Sequence, residues 1–114
     1  MSMDLVNEQD QEFRHGDHGP KYLFRGPRLE WGVIVFKPGQ ELGKHCHNQV
    51  EETFYFLEGT PQMVVDDTSY RVKPGDAFRL EPPECHNIIN DTDADTRLIF
   101  IKCPYVPGDK VDVK

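Results

Sequence analysis

Short apolar runs, each closed by turn-forming residues, recur along most of this 114-residue chain. Residues 29–36 (Leu-Glu-Trp-Gly-Val-Ile-Val-Phe) are rich in β-branched and aromatic side chains and stop at Lys37-Pro38-Gly39, which predicts a strand. Further strands are predicted near residues 41–47 and 51–57, the second closed by Glu58-Gly59. Residues 62–65 and 69–73 flank Asp66-Asp67-Thr68, a hairpin signal. Pro74-Gly75-Asp76 turns the chain into a short strand at 77–80. Pro82-Pro83 forces a stiff extended segment before a strand at about 86–90, and a polar loop at 90–95 precedes a last apolar strand at 97–102. Residues 1–20 are polar and lack hydrophobic periodicity. They read as a mobile or swapped arm with one short strand around Phe13, leaving 21–114 as a single β domain. The tail at 104–109 holds two prolines and a glycine, so it is expected to pass across the outside rather than pair centrally. Many short strands and no convincing helix predict an all-β sandwich or barrel.

Composition narrows the partners. Nine Gly and nine Pro in a chain that is 37% hydrophobic suit a turn-rich β protein. A net charge of −7, spread along the chain, argues against nucleic acid, whose phosphates need a basic face. No stretch has the length of a membrane-spanning helix and no leader pattern opens the chain, so the expectation is a cytoplasmic protein without a membrane partner. Cys46, Cys85 and Cys103 are an odd count without a C-x-x-C pair, which argues against a disulfide scaffold. Cys46 is expected to be a packed or partly exposed thiol turned away from its histidine neighbours, and the facing of Cys85 is left open.

The chemistry concentrates between Gly39 and Gly59. On a strand, residues i and i+2 share a face, so His45 and His47 can aim their imidazoles at one point. Glu52 sits at an odd offset from His47, and a turn at Asn48-Gln49 would reset the parity and return it to the histidines. Imidazole and carboxylate together suit a divalent first-row transition metal, and His86 is a fourth candidate. His15 and His18 have the spacing of a helical metal pair, but Gly16 and Gly19-Pro20 disfavour a helix there, so they read as exposed loop histidines.

These residues resemble a known family. Gly39, His45-x-His47, Glu52 and Gly59 are similar to the first motif of the cupin superfamily. Gly75-Asp76, Pro82-Pro83, His86 and Asn90 resemble the second, although Glu81 and Pro83 stand where that motif usually carries proline and glycine. The resemblance implies a jelly-roll barrel, or double-stranded β-helix, holding one divalent transition metal (Fe, Mn, Ni, Cu or Zn) on His45, His47, Glu52 and His86. Coordination positions would remain open for water, dioxygen or a chelating small molecule. The function implied is a small metal-dependent enzyme, a dioxygenase, decarboxylase-like lyase or isomerase acting on a small polar or carboxylate-bearing molecule. The alternative is a non-catalytic module that binds or senses a sugar or acid. Phe54 and Phe56 share the parity of Glu52 and are expected in the pocket wall; Gln62, Arg79 and Asn90 are candidate polar pocket residues. A two-fold homodimer through the strand at 29–36 and the N-terminal arm would cover an open sheet edge.

Overall fold

The structure, a computed structural model, describes residues 3–113. Residues 1 and 2 of the expected arm and residue 114 of the expected barrel domain lie outside the described residues. After a 3-10 turn at Glu8–Asp10 come β1 (Gly19–Arg25), β2 (Glu30–Phe36), β3 (His45–His47), β4 (Glu51–Glu58) and β5 (Gln62–Val65). The chain continues through β6 (Thr68–Arg71), β7 (Ala77–Leu80), β8 (Cys85–Ile89), β9 (Thr96–Cys103) and β10 (Lys110–Asp112). They form two five-stranded antiparallel sheets, ordered β1-β2-β9-β4-β7 and β10-β3-β8-β5-β6: the all-β architecture that the pattern of short strands predicts, in the double-stranded β-helix form that the family resemblance implies.

Alternation decides which residues the two sheets enclose. Ile34 and Phe36 on β2, Leu98 and Phe100 on β9, and Phe54 and Phe56 on β4 are all buried, with Met63 and Ile88 facing them from the other sheet. Burying side chains of this size contributes about 1.5–3 kcal/mol each against leaving them in water. Within the first sheet, Tyr22, Gly32, Phe100, Phe54 and Phe78 are successive register partners. The next row reads Arg25, Glu30, Lys102, Glu52 and Leu80, so charge of alternating sign runs across the sheet at one end of the enclosed space. A Cβ at Gly32 would run into the Lys21 carbonyl, so β1 closes over β2 only because that position is glycine.

Two strands were not foreseen. β1 carries a register shift between Tyr22 and Phe24, which breaks the alternation that would have marked it. β10 is three exposed residues, too short for any periodicity, and it lies on the outer edge of β3 with Lys110, Val111 and Asp112 opposite His47, Cys46 and His45. Residues 41–47 form less strand than expected: only His45–His47 is regular, and Glu41 makes an isolated bridge to Ile89. The described residues of the arm touch the barrel through Glu8, whose carboxylate meets Lys21 and Arg97, while the Lys21 ammonium lies over the Phe13 ring.

The cysteines correct the sequence reading. Cys46 on β3 and Cys85 on β8 sit directly opposite, with Cα atoms 4.2 Å apart, and form a disulfide. Thirty-nine residues separate them, so nothing in their spacing signals the pair; the antiparallel register creates it. Cys103 is free and exposed.

Candidate metal centre

His45 and His47 share the inner face of β3, and His86 stands opposite His45 on β8, so three imidazoles come from one sheet. Glu52 comes from β4 in the other sheet. The turn predicted at Asn48-Gln49 carries the chain across from one sheet to the other, and this crossing aims Glu52 at the histidines from the opposite wall. The crossing is fixed by Asp109, whose carboxylate accepts hydrogen bonds from the backbone N–H groups of Asn48, Gln49 and Val50 at 2.9–3.2 Å.

The four side chains are buried and converge. Glu52 Oε1 lies 3.0 Å from His86 Nε2, 3.1 Å from His47 Nε2 and 3.6 Å from His45 Nε2. One donor atom from each of the four residues falls within 4.8 Å of all the others. Metal–ligand bonds of about 2.1 Å set at right angles place neighbouring donors about 3 Å apart, so these separations suit a single first-row ion. His45 Nδ1 lies 2.9 Å from the Gly43 carbonyl, to which it donates, and that leaves the Nε2 lone pair on the cluster. His47 Nδ1 and His86 Nδ1 are buried without a hydrogen-bond partner; Asp109 Oδ2 stands 3.7 Å from the former.

Electrostatics prepares the same result. Burial alone would raise the Glu52 carboxyl, but the surrounding imidazoles of His45, His47 and His86 outweigh it and hold the group well below the usual carboxylate range. Burial pushes the His86 imidazole down. An ionised carboxylate facing a neutral imidazole is the protonation state that a cation requires. For Asp109, burial also pushes upward, and the N–H groups of Gln49, Val50 and Asn48 more than offset it, so the carboxyl titrates below its ordinary range.

The other candidates divide. Phe54 and Phe56 are fully buried, and the Phe54 ring centroid lies 5.4 Å from that of His86, so Phe54 is the floor beneath the cluster. Phe56 sits deeper, edge-on to Phe78 at 5.9 Å. Asn90 is buried but faces a loop: its amide nitrogen donates to the Phe36 and Ala94 carbonyls and its oxygen accepts from Thr92. Arg79 lies on the outer face of β7, largely exposed and 4.0 Å from Glu51, because Leu80 takes the inward position. Gln62 alternates with buried Met63 and so faces away from the interior.

Sequence reasoning missed the groups that border the cluster. A cavity of about 50 Å³ is lined by His45, Glu52, Tyr22, Phe100, Lys102 and Arg14, among others. Lys102 is the register neighbour of Glu52, its side chain is 14% exposed, and its ammonium lies 3.5 Å from the Tyr22 hydroxyl and 3.8 Å from Glu30. Its signal was present: Leu98, Phe100 and Lys102 alternate on one face of β9. Tyr22 had no such signal, since it belongs to the bulged strand.

The chain is similar to known proteins. Streptomyces halstedii SchB is 29% identical over 76 residues, and Streptomyces cyaneus CurC, a polyketide synthase by name, is 24% identical over 76 residues. Each match covers 67% of this chain, which spans only about half of either relative, 55% and 49% of their lengths. The structure of the polyketide cyclase RemF from Streptomyces resistomycificus superimposes with a TM-score of 0.83 at 18% identity, covering 99% of this chain and 87% of RemF. That likeness establishes the fold. The family model described as "Cupin domain" matches residues 32–102, from β2 through most of β9 and including all four converging residues. On that match the chain belongs to the cupin family.

Proposed function

We propose that this protein is a metal-dependent enzyme that holds a small oxygen-bearing molecule against an ion on His45, His47, Glu52 and His86 and moves a proton at its carbonyl group. The observation that carries this reading is the convergence of three imidazoles and an ionised carboxylate beside a cavity whose wall presents a phenol and an ammonium, Tyr22 and Lys102. When bound, a divalent ion would supply Lewis acidity, making the α-hydrogens of a coordinated carbonyl compound more acidic. The chain's own part is to seat the substrate on the Phe100 side, limit water access, and place hydrogen-bond donors where negative charge collects. Isomerase, lyase and cyclisation chemistry use such donors. Dioxygen activation has no evident need of them, so the dioxygenase reading ranks below. The names of RemF and CurC support the same preference, because polyketides are chains of carbonyl groups.

The test has two stages. Elemental analysis of protein purified without chelator is expected to find about one equivalent of metal, absent from His47→Ala while its β-rich circular dichroism persists. The loaded protein is then incubated with pyruvate in heavy water, and loss of the methyl proton signal is followed by NMR alongside oxygen consumption. Metal-dependent exchange without oxygen uptake supports the reading. Oxygen uptake would favour the dioxygenase, and saturable binding with neither would favour the non-catalytic module. Failure to take up any metal would overturn both enzyme readings and leave the non-catalytic module.

The expected homodimer also stays a proposal. Leu29, Trp31, Ile99 and Ile101 line a shallow apolar hollow on the outer face of β2 and β9, which suits a second copy of this sheet. Light scattering that gives the monomer mass would remove it.

A further inference from the structure

Resting on the proposed metal-dependent function, we infer that Tyr22, Lys102 and Arg14 form an anion subsite beside the metal-ligating cluster, selecting ligands that carry a carboxylate next to a second oxygen donor.

Three observations carry this. The first is the state of the Tyr22 hydroxyl. Arg14 Nη2 donates to it at 3.2 Å and the Lys102 ammonium approaches the same oxygen at 3.5 Å. Both approaches use lone pairs of the phenol oxygen, so its own hydrogen remains to be donated, and no acceptor for it exists among the described residues. A phenol polarised by two cations is a strong donor aimed at an oxygen that is yet to arrive. Its ring is held edge-on against Phe100 at 5.2 Å, and the Arg25 guanidinium covers it at 4.1 Å.

The second is the local balance of charge. The chain carries −7 overall, yet this cavity is lined by Arg14 and Lys102, and by Lys110, which is paired with Asp112 at 3.4 Å. The neighbouring carboxylates are already engaged: Glu52 with the imidazoles, Asp109 with three backbone N–H groups, and Glu30 with both Arg25 and Lys102. Arg14 has no carboxylate within ion-pair distance among the described residues. A divalent ion on the cluster would deepen this positive surplus, which an anionic ligand neutralises.

The third is position. Arg14 lines three adjoining cavities: the one at the cluster, another of about 160 Å³ toward His47, and an outer one of about 320 Å³ bounded by His15 and His18. It therefore stands where a ligand passes from the outside to the metal-ligating residues. Its backbone N–H donates to the Pro20 carbonyl at 2.9 Å, which fixes the arm at this point. The arm is thereby part of the site: it supplies the outermost of the three contacts to the anion.

The experiment compares lactate, which pairs a carboxylate with a hydroxyl, with neutral lactamide, titrated by calorimetry into metal-loaded protein. Neither probe has a reactive carbonyl, so binding is read without turnover. Lactate is expected to bind at least about tenfold tighter than lactamide, the difference that charge-assisted hydrogen bonds confer. Arg14→Gln, on an exposed residue, and Lys102→Met should each weaken lactate about tenfold and leave lactamide unchanged. Tyr22→Phe should weaken lactate with no change in metal content. Equal affinity for the two probes, no saturable binding of lactate, or variants that bind lactate as the parent does would overturn the subsite. His47→Ala separates the two readings. If it takes up no metal and still prefers lactate to lactamide, the subsite stands without depending on the metal. If the parent loads metal while the Arg14 and Lys102 variants bind lactate unchanged, the subsite falls and the metal centre stands.

Discussion

The two ends of the space between the sheets are built by the same strands and could hardly differ more. Toward one end, β2, β4 and β9 contribute Phe36, Phe56 and Leu98, every one buried against Met63, Val72 and Ile88. Four to six residues further along the same faces, the same three strands contribute Glu30, Glu52 and Lys102, with Tyr22 and the three imidazoles around them. The apolar end needs no specific partner for any atom, so it can be as tight as shape allows. At the polar end every group is partly defined by its neighbours: Glu52 is ionised because of the histidines, and Lys102 is tolerated because of Glu30 and Tyr22. One end therefore supplies stability, and the other spends part of it to hold charge in place.

The contrast can be broken from either side. The largest effect is expected from Phe54→Ala, at the boundary, where a buried ring touches both the core and His86; a loss of about 3–5 kcal/mol in urea unfolding is expected. Next comes reduction of Cys46–Cys85 with dithiothreitol. The bond closes a loop of 39 residues between two ligand-bearing strands, and freeing it should cost about 2–4 kcal/mol by the same measurement. An unchanged denaturation midpoint would show that β3 and β8 need no cross-link to stay in register. Asp109→Asn then probes the polar end alone. It weakens the clamp on residues 48–50 and the field at His47, and metal affinity in a chelator competition should fall about tenfold or more, with the β-sheet signal retained.

The smallest effect concerns the arm. The Arg97 guanidinium, helped by Lys21, holds the Glu8 carboxyl below its usual range. A carboxyl whose folded pKa is depressed adds stability that is complete above its unfolded value, near 4.3, and vanishes as the pH falls through the lower folded value. Glu8→Gln should therefore cost under about 1 kcal/mol at neutral pH and nothing at about pH 2. A constant difference across that range would mean that the arm is held by something other than this charge.

The contrast also explains what could be read from the sequence. The apolar end was legible because the apolar and aromatic runs at 29–36, 51–57 and 97–102 are an averaged signal, robust to any one residue. The ligand quartet was legible because His45-x-His47 and Glu52 need only strand parity and one interruption. The turn predicted at that interruption takes the chain from one sheet to the other, and Glu52 reaches the histidines from the facing wall. What stayed hidden depends on register between distant strands. Cys46 meets Cys85, and Lys110 meets His47, only because antiparallel pairing puts them opposite. Lys102 was hidden for another reason. Its parity points inward, but lysine defaults to the surface, and only the Glu30 and Glu52 on either side in the sheet make an inward ammonium acceptable. Arg79 and Gln62 were offered for the pocket on residue type alone, and the alternation that buries Leu80 and Met63 turns them outward.

The ends of the chain change what counts as the working unit. A polypeptide cut to residues 32–102, the span shared with the family, would keep His45, His47, Glu52, His86 and Lys102. It would lose Arg14 and Tyr22 at one terminus and Asp109 with β10 at the other. Such a fragment retains the fittings for an ion and discards much of what frames it: the edge strand over the histidine ribbon, the clamp on the crossing, and the gatekeeping arginine. Changes confined to the two flanks would therefore alter what frames the four converging residues while leaving those residues in place.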